Sequence, residues 1–70
     1  MGDKNFVVKA NNNSYACYNS HTGISFTKEK NSGSISIFPT KENAEHFIET
    51  NELTNCNIIP VIVNERFTEI

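Results

Sequence analysis

Between Asn5 and Phe38 apolar residues return at every second position in short runs, and residues that favour turns separate the runs. Asn5–Ala10 places Phe6, Val8 and Ala10 on one face and Val7 and Lys9 on the other, the period of a β-strand. Tyr15–Tyr18 reads as a second short strand whose two tyrosines point to opposite faces. Ile24–Thr27 reads as a third, with Ile24 and Phe26 inward. Ser34–Phe38 alternates once more and predicts a fourth, Ile35 and Ile37 inward and the serines toward water. The intervening residues suit this reading. Asn11–Ser14 forms a tight hairpin loop, because Asn tolerates the left-handed region and hydrogen-bonds its own backbone, and Gly23 supplies a positive φ at small steric cost.

At Pro39 the period changes. Thr40 can accept the unpaired amide hydrogens of a helix start, Glu42 suits the positive end of the dipole, and Pro39 discourages further strand. A helix is predicted from about Lys41 to Thr50, with Ala44, Phe47 and Ile48 on one face and Glu42, Glu45, His46 and Glu49 toward water. Leu53 caps the apolar cluster after the helix frays at Asn51. Asn57–Val63 is the most apolar run and predicts a strand buried on much of both faces, with Pro60 near its start or at a bulge. Phe67–Ile70 either extends that strand or covers a core edge.

Short connections make the first four strands a meander, and the helix crosses one face before the fifth strand enters beside the first. The expected strand order is fourth, third, second, first, fifth. The predicted fold is α+β: an antiparallel sheet of about five strands with one helix packed on one face, as a single domain over residues 1–70. So short a chain has a small core, which makes self-association a natural expectation.

Charge narrows the function. Six Lys plus Arg are scattered among eight Asp plus Glu, for a net charge of -2, so no basic stripe is available for phosphates and nucleic acid is a poor ligand. No membrane span or secretory leader is legible, and a cytosolic setting is expected, with Cys17 and Cys56 as packed thiols rather than a disulfide framework. Cys17, His21, His46 and Cys56 lack metal-ligand spacing, and no Cys–His nucleophile or Gly-rich phosphate loop stands out. The expectation is a protein without catalysis, metal or cofactor.

The aromatic residues carry more information. One of Tyr15 and Tyr18 should stand on the open face of the sheet beside Lys9, Thr27 and the serines, where an aromatic among polar neighbours can bind a protein or a planar ligand. The expected binding residues are Lys9, Tyr15, Tyr18, Lys28 and Lys30.

The strand "FVVKA", the Tyr-bearing hairpin, the junction "FPTKENAEHFI" from Phe38 to Ile48 and the closing "IIPVIV" together resemble small uncharacterised phage and prophage accessory proteins. That resemblance implies a function class: small proteins of this kind act stoichiometrically on host machinery or defence systems. The junction is also similar to one in the hybrid-binding N-terminal domain of some ribonucleases H, but that domain's Trp and basic residues are missing here. Two readings follow. The first is a protein that docks a bacterial host protein through a strand edge or sheet face and inhibits or modulates it. The second is a homo-oligomeric sponge for a nucleotide signal, with Tyr15 or Tyr18 stacked on a base and Lys9, Lys28 or Lys30 near phosphates.

Overall fold

The computed structural model describes residues 4–29, 35–63 and 67–70. Strands β1 (Lys4–Ala10), β2 (Tyr15–Asn19) and β3 (Gly23–Thr27) precede helix α1 (Lys41–Thr50), and β4 (Cys56–Val63) and β5 (Phe67–Glu69) follow it. All five strands join one curled antiparallel sheet in the order β3-β2-β1-β4-β5, with α1 on one face, so the α+β expectation holds.

The strand order differs from the predicted one because Ser34–Phe38 does not add an outer strand beside β3. Ser34 itself lies outside the described residues; Ile35 and Phe38 make isolated bridges to Cys17 of β2 and Phe6 of β1. The reason is in the first hairpin. β1 pairs with β4 along its whole length, but its register with β2 is confined to Lys9↔Tyr15. Beyond that pair the two strands part, and residues 35–38 fill the gap. Ser36 N–H donates to the Ala16 carbonyl at 3.1 Å, while Phe38 and Phe6 exchange backbone bonds of 2.8 Å in both directions. The bridging segment satisfies the backbone groups that the parted hairpin would otherwise bury unpaired. Its alternation is also only half inward: Ile35 is buried, but Ile37 is 42% exposed.

Pro60 lies inside β4, not at its start or at a bulge. It faces Phe6, whose own N–H and C=O turn the other way toward Phe38, so β1 asks no donor of it at that position. On its other side Pro60 C=O accepts from Ile70 N–H at 3.1 Å, at the last residue of the chain segment. A missing N–H is tolerated where the neighbouring strand ends.

The helix begins as expected: Thr40 Oγ1 accepts from Asn43 N–H at 3.1 Å. Its end is ordered rather than frayed. Glu52 adopts φ 52°, Glu52 N–H reaches the Glu49 carbonyl at 3.2 Å, and Leu53 N–H reaches the Ile48 carbonyl at 3.0 Å. These are the paired bonds of a Schellman motif, with Leu53 folded back onto the apolar cluster that holds Ile48.

The core has two halves. Val8, Ala16 and Ala44 are buried on the helix side, with Phe6, Phe38, Phe47, Ile48 and Ile58 packed around them. Val7, Tyr15, Cys17, Ile35 and Val61 are buried on the opposite, concave side, backed by Ile59 and Val63. Adjacent Val7 and Val8 are both fully buried, which a sheet with one wet face would not allow. Curling supplies the cover that a second helix would give. Among the described residues no helix is long and apolar enough to cross a membrane.

Candidate functional site

Two surfaces gather the chemistry of this chain, one on each face of the sheet. The first is a polar recess of about 510 Å³ at one end of the concave side, lined by Lys9, Asn12, Asn13, Tyr15, Lys28 and Glu69. The pairings Lys9↔Tyr15 and Tyr15↔Thr27 bring these neighbours together, and the curl carries Glu69 of β5 across to meet them. Tyr15 donates its hydroxyl to Glu69 Oε2, and Lys9 Nζ lies 3.3 and 3.2 Å from the two carboxylate oxygens. The same ammonium stands 5.3 Å from the Tyr15 ring centroid. Burial, then the hydrogen bond to Glu69 and that residue's negative charge, push the Tyr15 phenol up to about 12.

This arrangement corrects one expectation. Tyr15 is the tyrosine beside Lys9 and Thr27, yet its side chain is 2% exposed and spans the concave core, so it offers no face on which a base could stack. Lys9 is paired with Glu69, which also places a carboxylate where a phosphate would sit. Lys28 is at the recess, exposed; Lys30 lies outside the described residues.

The second surface belongs to Tyr18. Alternation along β2 sends it to the helix side, where α1 packs on β1 and β4 and Ala16 is covered, but Tyr18 and Phe26 lie beyond that cover. Tyr18 is therefore 58% exposed, and Phe26, expected inward, is 42% exposed; Ile24, opposite Tyr18, is half-buried. Between hairpin and helix runs a groove of about 520 Å³ lined by Tyr18, Ser36, Ile37, Phe38, Phe47, Thr50 and Asn51. The Phe38 and Phe47 rings are 5.0 Å apart, tilted by 51°. That tilt is the edge-inclined geometry aromatic pairs favour, which makes them a rigid wall. None of the seven lining residues is charged.

The sequence puts Tyr15 and Tyr18 on opposite faces and offers Lys9, Lys28 and Lys30 as cations without saying which tyrosine joins them; the structure gathers Lys9, Tyr15 and Lys28 at the recess and leaves Tyr18 on the other face. Sequence reasoning missed Glu69, whose partner Lys9 is 60 residues away, and Ile37, whose exposure depends on where the bridging segment lodges.

The thiols suit packing. Cys17 Sγ is 3.7 Å from the Tyr15 carbonyl, and Cys56 Sγ donates to the Thr54 carbonyl at 3.4 Å. Burial pushes the Cys56 thiol up, which lowers its thiolate fraction. His21 and His46 are exposed, and no group of three or more His, Cys, Asp or Glu among the described residues could hold a metal ion.

A scan against protein-family models, a search of curated proteins and a search of solved structures each return no match for this chain.

Proposed function

We propose that this protein is a non-catalytic accessory protein of the phage type, which binds a bacterial host protein through the groove between its β2–β3 hairpin and α1 and inhibits or modulates it. The observation that carries the reading is the 58% exposed Tyr18 at the edge of an uncharged groove walled by Ile37, Phe38 and Phe47. Exposed aromatics on a rigid apolar base, with charge depleted, are the usual composition of a binding hot spot. The inhibitory role on a host defence protein draws on the phage-like segments of the sequence.

Nucleotide sequestration finds less support. It needs an aromatic platform next to available cations, whereas Tyr15 is buried and Lys9 is engaged by Glu69.

The test compares tagged wild type with Tyr18→Ala and Lys28→Ala in affinity purifications from bacterial lysate, followed by reconstitution with the purified candidate. One host protein should be retained by wild type and Lys28→Ala, be lost with Tyr18→Ala, and bind again as a purified component. Identical captures by wild type and Tyr18→Ala, with no loss on reconstitution, would overturn the proposal.

A further inference from the structure

We infer that β5 is a strap that opens as a unit of its own while β1 and β4 stay paired, and that the Glu69 side chain is the catch that holds it shut over the recess.

The ladder alone holds β5 weakly. Its register with β4 covers Val61↔Glu69, Ile62↔Thr68 and Val63↔Phe67, whereas β1 lies against β4 along its whole length. Ile70 N–H donates to the Pro60 carbonyl, so the even-numbered residues of β4 aim their backbone groups at β5, and Ile62 exchanges its bonds with Thr68. Pro60 has no N–H to return to Ile70, so that pair keeps a single bond. Thr68 is exposed and Ile70 is 68% exposed, so their side chains add little burial.

Glu69 supplies what the ladder lacks. Its register partner Val61 lies in the concave core, and from that face the carboxylate reaches Lys9 Nζ at 3.2 and 3.3 Å and the Tyr15 hydroxyl. Lys9 belongs to β1 and Tyr15 to β2, neither of which pairs with β5. Charge-assisted bonds are stronger than those between neutral backbone groups, so one side chain carries much of the hold on the strap.

Opening leaves the rest of the fold in place. α1 packs on β1 and β4 and makes no comparable contact with β5, so the helix-side core around Val8, Ala16 and Ala44 is untouched. Segments with few buried contacts open at a lower cost than the whole domain. Shut, the strap keeps a carboxylate on Lys9 and is an autoinhibitory contact at the recess. Open, it separates Lys9 and Tyr15 from Glu69 and bares the backbone edge of β4 at Pro60 and Ile62. The inference does not rest on the Tyr18 groove, whose lining includes no residue of β5.

The test is amide exchange at low urea, read by NMR, on wild type, Glu69→Gln and Val8→Ala. In wild type the Ile62, Thr68 and Ile70 amides should exchange at least about tenfold faster than those of Val7, Ile59 and Val61, at rates that barely respond to urea, because the opening exposes little surface. Glu69→Gln should accelerate these three strap amides about tenfold. Val8→Ala should accelerate Val7, Ile59 and Val61 about tenfold and leave the strap amides at their wild-type rates, because Val8 stays buried whether the strap is shut or open. Circular dichroism checks that each variant is folded; if one is not, the urea response of wild type and the other variant decide. Strap amides that follow urea or Val8→Ala in step with Val7, Ile59 and Val61, or that ignore Glu69→Gln, would overturn the inference.

Discussion

Replacing Tyr15 by Phe takes one oxygen from the interior and leaves the buried ring in place. That oxygen is the donor that ties β2 to Glu69 of β5, strands that do not touch in the sheet order. A hydrogen bond to a charged acceptor contributes about 1.5–3 kcal/mol. The Glu69 side chain is 26% exposed and keeps Lys9 after the substitution, so the low end, about 1.5 kcal/mol, is expected. In a domain of this size each kcal/mol moves Tm by about 4–8 °C, which places Tyr15→Phe about 6–12 °C below wild type. The contact also has a pH signature. Folding raises the Tyr15 phenol from 10.0 to about 12, so the native state favours the protonated form. Its contribution is whole below the unfolded value, starts to fall as pH passes 10.0, and is gone once pH has climbed through about 12. The full span is about 2–3 kcal/mol. Urea denaturation followed by circular dichroism, run for both proteins from about pH 8 to pH 11.5, reads both effects. The advantage of wild type should stay level to about pH 10 and then shrink. An advantage below about 0.3 kcal/mol at the start, or one that stays level across the whole range, refutes the reasoning.

Three further predictions test other parts of the structure. Val7→Ala and Val8→Ala should each cost about 1–3 kcal/mol in urea denaturation, because both side chains are fully buried on opposite faces; a sheet with one wet face would show the loss at one position only. Glu52→Gly should raise stability by about 0.5–1 kcal/mol, read as a higher Tm, because Glu52 sits at φ 52° where a Cβ is disfavoured. Tyr18→Ala should change stability by no more than about 0.5 kcal/mol while removing partner capture, which separates its role from that of Tyr15.

The helix was legible because its signals are local. Pro39, the Thr40 cap and the Ala44, Phe47, Ile48 stripe lie within ten residues of one another, and each acts in the structure as its type suggests. The first three strands were legible for the same reason, through alternation and turn residues. The alternation of Ser34–Phe38 misled because it describes side chains, whereas the place of residues 35–38 is decided by backbone bonds to Ala16 of β2 and Phe6 of β1, which they reach where the first hairpin parts. Pro60 misled in a similar way: its position in the strand is allowed by where β5 ends, which no residue near Pro60 announces. At the recess, Lys9, Tyr15 and Lys28 came together through the hairpin registers, but Glu69 joins them only through the curl of the whole sheet.

Of the chain's two tyrosines, Tyr15 is a buried tie across the concave core and Tyr18 is exposed where the proposed partner would dock. Nitration of the native protein with tetranitromethane, mapped by peptide mass, compares them in one measurement. Tyr18 should be modified rapidly while Tyr15 stays intact until the protein is unfolded. Nitration of Tyr15 at a rate equal to that of Tyr18 in the folded protein would contradict the account.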